Sequence, residues 1–219
     1  MGNELQQFRA LTIHKLKEPV GFREPYYKDP PVVYPEAHAL EVMTDLNFVP
    51  AATVMVGSTL QHAHQMMIDR GVRMVLVLDG DKSIQGLLTA TDILGQRTVR
   101  VAKEKGLTEG YLLVDHVMTL VSDIEVLSLV DVVHARVGDV VATLRNSGRQ
   151  HALVVDRETQ EDDLVVRGIF SASQVARQLG IPVHVQGSEN AFGDLEGTFA
   201  QIDEVIRREQ QNKAAAPRL

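Results

Sequence analysis

The chain has 219 residues, 44% of them hydrophobic, enough for one large domain or two small ones with a real core. It has no cysteine, which excludes disulfides, thiolate metal sites and a cysteine nucleophile. A net charge of −7, no apolar stretch near the roughly 20 residues that span a bilayer, and a start without the apolar core of a signal peptide predict a cytoplasmic protein with no nucleic-acid or membrane partner.

Residues 1–35 are polar and rich in proline, with Pro19, Pro25, Pro30, Pro31 and Pro35. Proline and the residue before it avoid helix, so an extended arm is expected, with Tyr26, Tyr27 and Tyr34 packing on its own domain or a partner. Residues 36–46 read as a short helix, and 52–56 as a short strand. Ser58 starts a helix with Leu60, Ala63, Met67 and Ile68 on one face, ended by Gly71. Val72 to Leu78 is an apolar strand containing Arg73, Asp79-Gly80-Asp81 is a turn, and Ile84 to Leu88 is the next strand. From Asp92 a helix is predicted to run to about Lys105.

Residues 86–92 read Gly-Leu-Leu-Thr-Ala-Thr-Asp. Thr89 followed three positions later by Asp92 has the form of a capping box. A hydroxyl and a carboxylate at a strand end are also groups that could hold a phosphate and a ribose.

The pattern then repeats. His116 to Thr119 echoes Glu41 to Thr44 in its Val-Met-Thr. A helix from Ala135 to Ser147 ends at Gly148, where 148 − 71 = 77, and a strand from His151 ends at Asp156, where 156 − 79 = 77. The second copy of the strand end, 168–174, reads Gly-Ile-Phe-Ser-Ala-Ser-Gln, so that Ser171 stands to Thr89 at 171 − 89 = 82. The five extra residues fall in the charged loop Arg157 to Asp163. One offset held over helix, strand and turn indicates an internal duplication whose halves bury each other's open faces. A polar loop follows from Gly187. A helix near 198–210 is capped by Thr198 or Gln201 and has Phe199, Ile202, Val205 and Ile206 on one side.

Each repeat resembles a cystathionine-β-synthase (CBS) domain, and the pair resembles the tandem CBS module, over about residues 40–180. The elements that carry the resemblance are Val-Met-Thr, then Thr53-Val54 before a helix, an apolar strand ending in Asp, and Gly-apolar-x-Thr/Ser-x-x-Asp. The resemblance implies an α/β (α+β) fold of two β-α-β-β-α repeats packed with pseudo-twofold symmetry. It divides the chain into an arm (1–35), a first repeat (36–108), a second repeat (109–183) and a tail with a helix (184–219). It implies a stand-alone regulatory module without catalytic activity, a homodimer of such modules, and an unknown target protein. No cofactor is required. The ligand implied is adenosine-containing, an adenine nucleotide (AMP, ADP, ATP) or S-adenosylmethionine.

By the same resemblance, Asp92 would hold the ribose hydroxyls and Thr89 would contact ribose or phosphate. Thr53 would lie along the adenine edge, and Arg73 and Met74 would flank the base, sugar or phosphate. Arg149 and His151 are candidates for phosphate contact across the interface, and Ser171 is the second copy's counterpart of Thr89. Each has a structural reading too. Thr89 and Asp92 can be a cap alone, Arg73 a side chain reaching solvent from a strand end, and His151 a core histidine. Gln174 replaces the aspartate of the second copy. An amide can still close a capping box with Ser171, but it lacks the charge-assisted acceptor, so one competent cleft is expected, the one at Asp92. The local cations for a phosphate are Arg73, Arg97, Arg149 and Arg177. His62 and His64 do not share a helix face, and the other histidines are scattered, so no metal site is expected. No nucleophile elbow or phosphate loop is present, which leaves an enzyme without positive support. The alternative to a nucleotide-binding module is an interaction or scaffold protein with degenerate clefts.

Overall fold

The computed structural model describes residues 32–157, 164–181 and 195–215. The expectations for the arm up to Pro31, including Tyr26 and Tyr27, for the charged loop at 158–163 and for the polar loop from Gly187 lie outside the described residues. The first described element differs from expectation. Residues 36–46 form a single 3-10 turn, Ala39–Val42, followed by a short strand β1, Thr44–Asp45. Helix loses here because Ala39 and Val42 are buried in the core of the second repeat while Thr44 and Asp45 pair with a strand there.

Strand β2, Thr53–Met55, leads into α1, Leu60–Arg70. The Thr59 hydroxyl caps α1 by accepting from the His62 N–H at 3.1 Å, and Gly71 closes it at φ 63°, a backbone conformation that favours glycine. Leu60, Ala63 and Met67 face inward, whereas Ile68, expected with them, is 59% exposed. β3, Met74–Leu78, pairs in parallel with β2, and β4, Ile84–Thr89, pairs antiparallel with β3. The turn between them is held by Asp79, whose Oδ1 accepts from the N–H of Asp81 and of Ser83. The helix expected from Asp92 is two pieces, α2 (Ala90–Leu94) and α3 (Gln96–Lys105), separated at the extended residue Gly95.

After α4, Val114–Val117, comes a second two-residue strand, β5, Thr119–Leu120. β6, Val126–Ser128, is followed by α5, Leu129–His134, which the sequence pattern did not indicate, and by α6, Val137–Ser147. β7, His151–Arg157, and β8, Leu164–Ser171, form the second hairpin, followed by α7, Ala172–Gln178. α8, Leu195–Ala215, starts earlier than expected, so Thr198 and Gln201 lie inside it. It seats Phe199 and Ile202 in the second repeat's core, and Arg145 pairs with its Asp203.

The fold is mixed α/β with two four-stranded sheets, in orders β2-β3-β4-β5 and β6-β7-β8-β1. These orders are equivalent, with one exchange. The strand that leads each repeat sits on the other repeat's sheet, β1 on β8 and β5 on β4. The central strands are buried on both faces. Val75 and Val77 of β3 point to helices α1 and α2, while Met74 and Leu76 meet Leu153 of β7 and Ile169 of β8 between the sheets.

Glycine makes the exchange sterically possible. A Cβ on Gly86 would stand 2.3 Å from the carbonyl oxygen of Thr119 on β5, and one on Gly168 would stand 2.4 Å from the sulfur of Met43, just before β1. The first obstacle is backbone and the second a flexible side chain. Gly86→Ala should therefore lower stability by about 1–3 kcal/mol and Gly168→Ala by less, read from urea unfolding midpoints. Equal losses would show that the strand exchange does not govern the cost.

Candidate functional site

The described cavity, about 490 Å³, lies between the two repeats. The first repeat supplies Thr44 of β1, Leu46, residues 49–52, one side of α1 and the first half of β3. The second supplies the ends of β7 and β8 and the inner side of α7. Of the residues expected to bind ligand, Arg73, Met74, His151 and Ser171 line it. Strand pairing explains this convergence. His151 is opposite Ser171 in the β7–β8 register, and Met74 begins the facing strand β3.

The other four lie elsewhere. Thr53 sits within β2, opposite Leu76, while its neighbours Ala51 and Ala52 line the cavity. Arg149 pairs with Glu125 at 3.2 Å, outside the cavity. Thr89 and Asp92 form the expected capping box. The Thr89 hydroxyl accepts from the Asp92 N–H at 3.2 Å, and Asp92 Oδ2 accepts from the Thr89 N–H at 2.9 Å and its hydroxyl at 2.7 Å. The remaining oxygen is also engaged. Asp92 Oδ1 accepts from Arg97 at 3.3 Å, and the same guanidinium donates to the Thr119 hydroxyl at 3.2 Å and the Met118 carbonyl at 2.8 Å. Arg97 thus ties the carboxylate to the exchanged strand β5. The described cavity lies beside Gln174, whereas Asp92, where the competent cleft is expected, is engaged by Arg97.

The second copy departs from its expected cap as well. Ser171 makes no side-chain cap bond. Its hydroxyl pairs with that of Ser173 at 3.1 Å, and Gln174 Oε1 instead accepts from the Thr44 hydroxyl at 3.0 Å. The physical reason is the strand exchange, which delivers a competing donor on β1. Thr44, Gln174 and Arg177 all line the cavity. The repeated Val-Met-Thr was the sequence signal for Thr44, since Thr119 holds the same strand position, paired with Leu87 as Thr44 is with Ile169. Nothing in the sequence pattern singled out His64 or Ser173, which also line it.

The electrostatics of the cavity are one-sided. Its described lining contains Arg73, Arg177, His64 and His151 and no carboxylate. Among the described residues neither Arg73 nor Arg177 has an ion-pair partner. Burial, and then the charge of Arg177, hold the Arg73 guanidinium below its ordinary value. Burial first and the charge of Arg73 second push His151 down to about 4, so it is neutral at pH 7. No group of three or more histidines and acids among the described residues is placed to hold a metal ion, and none of their helices is long and apolar enough to cross a membrane.

Two outcomes are expected. The Asp92 side chain is 17% exposed and that of Arg97 37%, so their pair is only partly screened. Asp92→Ala should cost about 1–3 kcal/mol from cap and pair together, and a double-mutant cycle with Arg97→Ala should return about 0.5–1 kcal/mol of coupling. Zero coupling would mean that the contact to Arg97 contributes nothing. For His151, the unfolded chain binds more protons than the folded one between the folded value of about 4 and the ordinary 6.5. Its contribution to stability is therefore complete above 6.5 and is lost as pH falls toward 4. His151→Met, which installs the residue type of its counterpart Met74, should flatten the fall in melting temperature between pH 7 and pH 5. An unchanged slope would remove His151 as its source.

Residues 41–97 match the sequence profile of the CBS domain family. Three solved structures have similar folds. An uncharacterized conserved protein from Pyrococcus horikoshii shares 20% identity over 71% of this chain and 100% of its own, with a TM-score of 0.48. A CBS-domain containing protein from Agrobacterium tumefaciens shares 15% over 70% and 98%, with a TM-score of 0.46. CBSX2, in complex with AMP, shares 18% over 64% and 94%, also with a TM-score of 0.46. A comparison with curated protein sequences gives no match. The matched segment holds Thr44, Arg73, Met74 and Asp92, and the second repeat rebuilds the same strand order behind it. The segment 41–97 of this chain is thus similar to a CBS domain.

Proposed function

We propose that the protein is a non-catalytic regulatory module that binds an adenosine-containing, negatively charged ligand in the cleft between its repeats. The observation that carries this reading is the pairing of apolar walls with Arg73 and Arg177, which have no carboxylate to neutralise them among the described residues. A cavity of about 490 Å³ falls in the range of small-molecule sites. Val49, Ala51, Met67 and Val72 offer an apolar slot for a base, and Arg73 and Arg177 offer forked donors for phosphate. The CBS match supports the adenosine part of the reading. In this reading, modules pair as homodimers in the cytoplasm, and the ligand acts on an unknown target protein by favouring one dimer arrangement. It can do so only by binding the two arrangements unequally.

Arg97 closing on Asp92 favours a second reading, in which the clefts have decayed and the chain serves as an interaction protein. Calorimetric titration with AMP, ADP, ATP and S-adenosylmethionine separates the two. Saturable heat with at least one nucleotide is expected, with Arg73→Gln and Arg177→Gln each weakening it about tenfold. Sedimentation with and without ligand reads the arrangement. No heat from any of the four at high protein concentration sinks the nucleotide reading in favour of the second.

A further inference from the structure

We propose that Gln174 sets the charge class of the ligand, so that this cleft takes a ligand with two or more negative charges and does not require a carboxylate to hold a ribose. The inference rests on the nucleotide reading above and narrows it.

The argument compares equivalent positions in the two repeats. Asp92 corresponds to Gln174, since 92 + 82 = 174, and Arg97 to Leu179, since 97 + 82 = 179. The first copy places an acid and a base here and satisfies them with each other. The second copy carries neither charge, and Leu179 is buried in the core. The hydroxyl that accompanies each site is kept, Thr119 in one and Thr44 in the other. The difference is therefore confined to charge, and the polar scaffold of the helix start remains.

Other charges stand nearby. Arg177 corresponds to Gly95, since 95 + 82 = 177, and Arg73 to Gln150, since 73 + 77 = 150. Both arginines line the Gln174 cavity, and both counterparts are neutral. In a chain of net charge −7, this cleft gathers two positive charges and no negative one among its described lining. An aspartate at 174 would stand in the same cavity as the arginines and give them an internal partner, as Asp92 has in Arg97. Glutamine keeps the hydrogen bond to Thr44 while withholding that partner. The two guanidiniums then repel each other in a partly buried site, a cost that an entering dianion removes. A cationic sulfonium ligand gains nothing from the same site.

The test titrates ADP, adenosine and inorganic pyrophosphate into the full chain and into Gln174→Asp, by calorimetry. The parent should bind ADP at least about tenfold more tightly than adenosine, and pyrophosphate should compete with ADP. Gln174→Asp should lose about tenfold in ADP and pyrophosphate affinity with adenosine unchanged or improved. Arg177→Glu, at an exposed position that folding tolerates, should produce the same loss and serves if Gln174→Asp does not fold. Equal binding of adenosine and ADP by the parent would overturn the charge selection while leaving the nucleotide reading intact. So would undiminished ADP affinity in the folded Gln174→Asp protein, or in Arg177→Glu. Pyrophosphate binding as tightly as ADP, with none of adenosine, would uphold the charge selection and overturn the adenosine part of the reading. No binding of any of the three overturns both.

Discussion

Two residues of backbone, exchanged in each direction, tie this molecule together. β1 adds to the sheet of the second repeat and β5 to that of the first, each against the strand that carries a glycine. Neither repeat completes its sheet alone. The edge strands are too short to hold by themselves, so their hydrogen bonds and the apolar layer between the sheets depend on each other. Thr44 and Thr119 ride on these strands, and each places its hydroxyl at the helix start of the other repeat. The described cavity between the repeats is therefore built in part by the exchange, through Thr44, and both halves of the chain contribute to it.

The two helix starts that share this frame differ in charge. At Asp92 an internal arginine satisfies the carboxylate, and the hydrogen bonds run from α3 through the side chain to β5. At Gln174 the amide takes the threonine hydroxyl and leaves the neighbouring arginines without a counter-charge among the described residues. The cavity beside the residue that looked depleted in sequence is the one lined by arginines and by no carboxylate among the described residues. His151 follows the same logic. Held neutral by burial and by Arg73, it adds no third positive charge at pH 7 to a site already under repulsion.

Much of the fold was legible because its signals are local. Helix α1 showed its capping residue, its apolar stripe and its terminal glycine. The hairpins showed apolar runs joined by turn residues, and the constant offset revealed the duplication. Two of the errors share one cause. Residues 36–46 carry helical spacing but become a turn and a strand because their partners are more than a hundred residues away. Gln174 should close a local cap by its spacing, yet it bonds a hydroxyl brought by a distant strand. Gly95 divides the helix after the strand end, a break that the apolar periodicity of 92–105 does not register.

The sequence by itself determined the repeat, the strand and helix order within it, and the residue types that could meet a nucleotide. Periodicity, capping and glycine placement act over a few residues, and duplication copies them. Only the tertiary structure decided which of those residues share a cavity. Arg97 and Arg177 are both arginines just beyond a strand-to-helix junction, and no local pattern separates them. One reaches back to a carboxylate on its own repeat, and the other lines the space between the repeats. That difference depends on which side chains the exchanged strands bring within hydrogen-bonding distance, and charge pairing is settled by that distance and not by position along the chain.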